Sequence, residues 1–592
     1  MEECFDLRNL YNNKNMIRNK RGHIMLDWSD NIREKIVQFW FILGKDMGTE
    51  INTLETRFRE IMSILTRNLC SIYAVEINDS KELLPLMFKL LFHIRSPYTG
   101  LGNRKISYMM LKVWYDYYPL ASIYALEQFL TGDKFGCWRD VKGLCNYLKY
   151  DCKYSENHPI IINCCLLMNR QIEKDMESLT DKYYTYAGAG AGADNNNHII
   201  SNVAKWVPRE KSNNGKNDWL FTMLSQFYFR EYIFHAKTYE SYIRSIRKTK
   251  MDYRKLCSSL NSYLGTLETI MSSGRVCDIK LSDLSSQNLL DYSSYFLKND
   301  NKCDFTSFVE KEEYKIMKGA ELNIGQFVTK AVKLIDNCSD HNVCERKMLN
   351  VMWNKYIEDI EMNDVVIPML DVSISDKRQL YEAIGYCIIV SMKSKFGAGL
   401  VSFGTHGKWI NLENCVENFV EMVETIINEI NSDKTMKCNF YDGFRILASA
   451  METAIITNYE MSKYKIIVFS TMDFDYSNNN NDNDMINNLL AENINTIFDN
   501  KKMDAKPGLI LWNLGHVSVN NGFPSEVYNN KNILMISGQT KEYLNIIGGK
   551  KVYSGNKSSS QYSMINSYNF LENVLNRKCY SRIEKHFIDN YL

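Results

Sequence analysis

The sequence predicts a multi-domain protein, in which an α-helical N-terminal region precedes a C-terminal Rossmann-type α/β domain. Two patterns lead to this fold class. From residue 28 to about 180, apolar residues recur at helical spacing, and Pro and Gly fall between these segments. After residue 364, short apolar runs alternate with amphipathic segments, as expected for a mostly parallel sheet covered by helices.

These patterns divide the chain into an irregular segment at 1–30, a helical, HEAT-like region at 31–360 and an α/β domain at 361–592. The Ala-Gly run near 187–197 has too few apolar side chains to fold alone, so we expect a flexible insertion there. The Asn-rich run near 477–488 is predicted to be a surface loop. In the α/β domain, the predicted strands are 365–370, 398–403, 465–470, 509–514 and 533–536. The predicted helices there are 379–392, 416–430, 440–456, 486–498 and 563–575.

The first predicted strand ends in a polar cluster that contains Asp371, Ser373 and Ser375. Parallel strands bring their carboxyl ends to one edge of a sheet, where Asp473, after the strand at 465–470, would join this cluster. Carboxylate and hydroxyl oxygens are ligands of the kind that Mg²⁺ or Mn²⁺ prefers. The alternative is a strand that ends in a Ser-rich turn, where these side chains cap backbone groups.

A glycine-containing loop carries the first group of cations that are candidates for phosphate contacts. Arg95, Arg104 and Lys105 flank Gly100 and Gly102, and backbone amides near the two glycines are suited to an anion. The alternative is a helix C-cap followed by the solvated start of the next helix.

A second group of cations lies on a predicted helix at 240–256. Arg244, Arg247 and Lys248 fall on one face of that helix, with Tyr242 nearby. Aromatic residues beside cations suit single-stranded nucleic acid. The alternative is an ordinary solvated helix face.

Composition limits the classes of function. Lys and Arg number 71 and Asp and Glu 70, so the net charge of +1 does not by itself predict a nucleic-acid or membrane partner. The 16 cysteines form no CxxC pair, and no apolar run reaches the ~20 residues that span a bilayer. We therefore expect a cytoplasmic protein without a membrane partner. We find no nucleophile elbow, P-loop or HExxH motif in a suitable context, and we predict that the protein is not an enzyme.

The motif Asp371-Val372-Ser373-Ile374-Ser375, after a first strand, resembles the metal-ion-dependent adhesion site of von Willebrand factor A domains. Most of the chain is also similar to the domain of unknown function 2828 family, which joins a TROVE-like helical part to a von Willebrand A-like part. Beyond that motif, the residues that carry this similarity include Arg95, Gly100, Gly102, Arg104, Gly136, Trp138, Asp140, Lys205, Trp206, Pro208, Trp353, Trp512 and Asn513.

The metal site departs from the family pattern in three places. Ile374 stands where the family has Gly between the two serines, and Thr471 stands where it has Asp. The loop that supplies a Thr in the family has Cys438 or Asn439 here, and a thiol is a poor ligand for a hard cation. The resemblance therefore implies a degenerate site for Mg²⁺ or Mn²⁺.

The resemblance to TROVE-type proteins implies an RNA-binding or ribonucleoprotein-scaffold role, with RNA as the partner. The alternative is a protein–protein interaction module, in which the degenerate metal site takes an acidic side chain of a protein partner through a shared ion. The family likeness and the Asn-rich composition favour a large DNA virus as the source, which would place the protein in the host cytoplasm.

Overall fold

The computed structural model describes residues 16–18, 24–43, 51–97, 99–131, 135–188, 200–210, 215–311, 322–336, 342–404, 406–432, 440–454, 456–472, 490–501, 503, 505–515, 523, 532–548 and 566–592. The chain forms two compact units. The first, the α/β unit, contains Met1–Lys89, Lys280–Asn590 and Leu592, and the second, the helical unit, contains Leu90–Ile279 and Tyr591. This division differs from the predicted boundary at residue 360, because the first 89 residues and residues 280–360 belong to the unit that contains the sheet.

The strands lie in two sheets of the α/β unit. A short antiparallel pair is formed by β1 (Met16–Arg18) and β2 (Ile24–Leu26). The other strands are β3 (Val365–Asp371), β4 (Gly399–Phe403), β5 (Lys408–Asn411), β6 (Tyr464–Ser470), β7 (Gly508–Asn513) and β8 (Ile533–Ser537). Within the described residues they form a six-stranded sheet with the order β5-β4-β3-β6-β7-β8. The edge strand β5 is antiparallel to β4, and the remaining neighbours are parallel.

Helices make up most of the rest of the described chain. Up to residue 311 they are α1 (Ile32–Phe41), α2 (Ile51–Asn68), α3 (Ala74–Arg95), α4 (Arg104–Tyr117), α5 (Pro119–Thr131), α6 (Arg139–Asn146), α7 (Pro159–Gly188), α8 (Val203–Trp206), α9 (Asp218–Tyr228), α10 (Arg230–Phe234), α11 (Tyr239–Leu264), α12 (Leu267–Ser272), α13 (Ser286–Asp291), α14 (Ser293–Lys298), α15 (Asp300–Cys303) and α16 (Phe305–Glu310). After it they are α17 (Ile324–Asp336), α18 (Asn342–Tyr356), α19 (Lys377–Lys393), α20 (Phe419–Ser432), α21 (Phe440–Thr453), α22 (Asn458–Met461), α23 (Leu490–Asp499), α24 (Glu542–Ile547), α25 (Ser567–Leu575) and α26 (Ser581–Tyr591).

Helices cover both faces of the large sheet. Phe469 of β6 pairs with Trp512 of β7, so their side chains share one face. The Tyr386 ring of α19 stacks on Phe469 with centroids 5.5 Å apart, which places α19 on that face. On the opposite face, α21 approaches so closely at Gly443 that a Cβ there would lie 2.5 Å from Cε of Met369. Burial on both faces explains why the parallel strands are continuous apolar runs.

The N-terminal segment of the α/β unit closes the carboxyl end of two strands. At the end of β7, Nδ2 of Asn513 donates to the carbonyl oxygen of Phe41 at 2.8 Å. At the end of β8, the hydroxyl of Ser537 donates to the carbonyl oxygen of Leu43 at 3.3 Å. The sequence placed α1 in the helical region because its amphipathic pattern shows that it is a helix but not which surface it covers.

The five predicted strands are confirmed, and their bounds differ from the prediction by no more than one residue. Strand β5 was missed because it has one buried residue, Ile410, and so lacks a strand-like apolar run. The predicted flexible insertion and Asn-rich loop lie largely outside the described residues and stay predictions. Within the described ranges, none of the helices combines the length and the apolar character that a bilayer crossing requires.

Candidate functional site

The predicted site at the carboxyl edge of the sheet centres on Asp371, which is 1% exposed. Its Oδ1 accepts hydrogen bonds from the backbone N–H of Ser373 at 2.9 Å and from the Ser373 hydroxyl at 2.6 Å, and its Oδ2 accepts one from the Ser470 hydroxyl. Asp371 lies where the chain continues to β4 on one side and β6 on the other, the position at which open α/β sheets bind ligands. Here protein donors already engage both oxygens.

The described residues of this edge fit a divalent cation poorly. In the part of the chain that the structure describes, no group of three or more His, Cys, Asp or Glu side chains is arranged to hold a metal ion. Ser375 is exposed, whereas Ile374 is buried between the two serines. Asp473, Cys438 and Asn439 lie outside the described residues. A single carboxylate that already accepts protein hydrogen bonds is a weak ligand set for Mg²⁺ or Mn²⁺, so the described residues argue against the metal binding that the resemblance implies, which stays untested.

The glycine loop between α3 and α4 is a helix C-cap, the alternative that the sequence left open. Three consecutive amides of the loop donate to carbonyl oxygens at the end of α3, in the pairs Leu101 to His93, Gly102 to Ser96 and Asn103 to Ile94. A Cβ on Gly100 would lie 1.7 Å from the carbonyl oxygen of His93, so only glycine allows this close approach. These amides are engaged by the protein and are not available to a phosphate.

Asp140 in the first turn of α6 is the centre of a buried polar network. Its Oδ2 accepts hydrogen bonds from Nε of Arg95 at 3.0 Å and from the backbone N–H of Cys137 at 2.9 Å, and its Oδ1 accepts one from the Tyr108 hydroxyl at 2.7 Å. Burial and the negative charge of Asp140 hold the pKa of Tyr108 well above its usual value, so the phenol stays a donor. Arg95 is 1% exposed and was predicted to contact RNA; its guanidinium instead neutralises Asp140.

Arg104 connects this network to an open cleft in the helical unit. Its Nε lies 3.3 Å from Oδ1 of Asp140, and 41% of its side chain is exposed. The cleft has a volume of about 970 Å³. The cationic side chains that line it, among the described residues, are Arg104, Arg139, Lys142, Lys205 and Arg209.

Helix α8 joins the two sides of the cleft. On one side, the guanidinium of Arg139 from α6 lies over the Trp206 ring, 5.5 Å from its centroid. On the other side, Nζ of Lys205 forms an ion pair with Glu268 of α12 at 3.2 Å. Although burial opposes it, a backbone hydrogen bond and Lys205 hold the pKa of Glu268 below its usual value, so this carboxylate is charged at neutral pH. Because the described lining has five cations and this one carboxylate, the cleft is strongly cationic.

The second predicted group of cations lies outside the cleft. Arg244, Arg247 and Lys248 are on α11 as predicted. Arg244 pairs with the exposed Glu240 at 3.2 Å, and Nζ of Lys248 lies over the Tyr232 ring, 4.2 Å from its centroid. Lys105 is exposed at the start of α4. Of the six predicted RNA-binding residues, Arg104 is the one that lines the cleft.

Sequence reasoning missed Arg139, Lys142, Lys205 and Arg209 as members of one surface. They come from two separate segments, so neither segment shows a run of charge in the sequence. The family resemblance could have pointed to this surface. Asp140, next to Arg139, and the Lys205-Trp206 pair are among the residues that carry it.

Two family profiles match the chain. Residues 144–365 match the Domain of unknown function (DUF2828), and residues 358–572 match the Domain of unknown function (DUF7788). The first match confirms the resemblance to the domain of unknown function 2828 family, and it covers part of the cleft lining, including Lys205 and Arg209. The second covers the whole six-stranded sheet.

Among curated proteins, the chain is similar to "Uncharacterized protein L728" of Acanthamoeba polyphaga mimivirus, with 22% identity over 371 residues. The alignment covers 59% of this chain and 58% of the relative, so the chain matches less than two thirds of that protein's length. This relative belongs to a large DNA virus, in agreement with the source that the sequence favours. No solved structure matches the chain.

Proposed function

We propose that the helical unit binds RNA in its cationic cleft, and that the protein is a non-enzymatic RNA-binding or ribonucleoprotein-scaffold protein. The observation that carries the proposal is the convergence of Arg104, Arg139, Lys142, Lys205 and Arg209 on one cleft. Phosphate groups are the chemistry to which such a surface is complementary, and phosphate contacts dominate the affinity of proteins for nucleic acids.

The size of the cleft favours a polymer over a single anion. Its volume of about 970 Å³ is far larger than a phosphate ion. Five cations in one cleft can contact several phosphate groups. Both properties support a nucleic-acid strand as the ligand.

The proposal extends to the fold family of each unit. The helical unit would be TROVE-like and the α/β unit von Willebrand A-like, which the central position of β3, with Asp371 at its carboxyl end, supports. Such a protein would act in the host cytoplasm, where its RNA partner is present.

A filter-binding titration with single-stranded RNA at 50 and 200 mM salt tests the proposal. About four phosphate contacts predict that the unchanged protein loses roughly 50-fold in affinity between these two conditions. Removing two cleft cations with Arg139→Ala and Lys142→Ala is expected to weaken binding at 50 mM salt by at least about tenfold and to make the salt dependence less steep.

The matched control is the double substitution Arg244→Ala and Arg247→Ala, which removes the same charge from an exposed face of α11 in the same unit. Melting curves of both variants verify that the fold is retained. Absence of RNA binding by the unchanged protein would overturn the proposed function. An equal loss of affinity in the two variants would show that the cleft is not the site.

A further inference from the structure

The two sides of the cleft differ in their chemistry. The α6 side presents the cations Arg139 and Lys142, while the side formed by the end of α11 and by α12 presents Asn261, Thr266, Thr269 and Ser272. Helix α8 lies between them, since the Arg139 guanidinium packs on its Trp206 and Nδ2 of Asn261 donates to its Ala204 carbonyl at 3.2 Å. One side of the cleft is therefore cationic, while the other combines neutral hydrogen-bonding groups with the Glu268 carboxylate, which is paired with Lys205.

The side formed by α11 and α12 retains neutral hydrogen-bond acceptors beside Glu268. The hydroxyls of Thr266 and Thr269 lie 3.0 Å apart, and the Ser272 hydroxyl donates to the Thr269 carbonyl at 3.0 Å. A hydroxyl has one donor and two acceptor lone pairs, so each keeps the capacity to accept after these contacts. Asn261 donates one amide N–H to α8, and its side-chain carbonyl oxygen is an acceptor for a ligand.

We propose that the cleft selects RNA over DNA, with the phosphates of the strand on the α6 side and 2′-hydroxyls donating to Asn261, Thr269 and Ser272 on the opposite side. This inference rests on the proposed function and names the class of its ligand. Phosphate contacts do not distinguish the two nucleic acids, because both have the same backbone anion. The 2′-hydroxyl is present in RNA alone, and acceptors placed across from the cations are positioned to recognise it.

The test compares RNA and DNA oligonucleotides of one sequence built from A and C alone, so that the two strands differ in the 2′-hydroxyl and not in their bases. Two or three added hydrogen bonds predict that the unchanged protein prefers RNA by roughly 5- to 50-fold. Thr269→Val with Ser272→Ala is expected to weaken RNA binding and to leave DNA binding unchanged. Arg139→Ala with Lys142→Ala is expected to weaken both equally and so to preserve the ratio.

A 2′-O-methyl strand of the same sequence separates hydrogen bonding from sugar conformation, since it keeps the RNA-like pucker but has no 2′ donor. We expect it to bind as weakly as DNA; binding as tight as RNA would overturn the inference. Equal affinity of the unchanged protein for RNA and DNA would also overturn it, while leaving RNA binding in the cleft intact. Failure to bind either strand would instead reject the proposed function.

Discussion

Arg95 and Asp140, 45 residues apart in the chain, form an ion pair in which each side chain is 2% exposed. Burial keeps water from compensating these charges, so Arg95 relies on Asp140, while Asp140 also has the partly exposed Arg104 as a counter-charge. The pair also fixes the start of α6, which carries Arg139 and Lys142 into the cleft. Arg95, which the sequence predicted to contact phosphate, therefore holds α6 in place beside the cleft.

The first prediction concerns this pair. Arg95→Ala is expected to destabilise the helical unit by about 1.5–3 kcal/mol, because it removes the buried guanidinium that donates to the Asp140 carboxylate and leaves the partly exposed Arg104 as its counter-charge. Hydrogen-exchange mass spectrometry should show faster exchange at the end of α3 and in α6. The exposed neighbour Lys105, changed to Ala, is the control and should leave the exchange unaltered. Identical exchange in the two variants would contradict the structural role of Arg95.

The second prediction concerns the carboxyl edge of the sheet. Because Ser373 and Ser470 donate to both oxygens of Asp371, calorimetric titration with Mg²⁺ or Mn²⁺ is expected to give no saturable heat. Asp371→Asn serves as the comparison. A saturable heat in the unchanged protein that this substitution abolishes would establish the metal site and would favour the protein–protein interaction module.

The third prediction concerns the attachment of the N-terminal segment to the sheet. Asn513→Leu has a similar volume but leaves the Phe41 carbonyl and the Gly515 N–H without their partner. An unpaired buried polar group costs about 1–3 kcal/mol, so the backbone amides of residues 24–43 should exchange faster. The exposed Asn590, changed to Leu in the same unit, should have no such effect. Protection of residues 24–43 that is the same in both variants would count against the attachment.

The fourth prediction is a dependence of stability on alkaline pH. Burial raises the pKa of the Cys257 thiol on α11 from its usual 9.0 to about 12. Below pH 9 the thiol is protonated in both the folded and the unfolded state, whereas between pH 9 and 12 only the unfolded state releases the proton. Stability of the helical unit should therefore decrease as the pH rises through this range.

Melting temperatures at pH 8 and pH 10.5 measure this effect. The melting temperature of Cys257→Ala should fall less between these two pH values than that of the unchanged protein. It should still fall, because burial also raises the pKa of Tyr253. Cys277 is an exposed cysteine of the same unit, and the melting temperature of Cys277→Ala should fall as much as that of the unchanged protein. An identical decrease in all three proteins would exclude Cys257 as a cause.

The strands could be predicted from the sequence, whereas the cleft could not. A strand such as β3 is specified locally, since its buried residues are consecutive and a polar group ends it. The cleft depends on packing between α6 and α8, where Arg139 meets Trp206 across more than 60 residues of sequence. The run of cations in the sequence instead predicted an RNA-binding surface on α11, where Arg244 and its neighbours are exposed along one helix. Residue type alone also cannot show that Arg95 is buried against a distant carboxylate.

The closure of the sheet by the N-terminal segment affects how the protein can be made. Leu43 and Ser537, which share a hydrogen bond, are 494 residues apart. At the ~5–20 residues per second of translation, a ribosome needs roughly 25–100 s to synthesise β8 after α1 has emerged. During that interval, Trp40 and Phe41, both fully buried in the finished protein, lack the rings of Phe570 and Phe523 on which they pack. The nascent chain is thus expected to engage chaperones through α1, and a fragment that begins after residue 360 would lack the segment that covers the ends of β7 and β8.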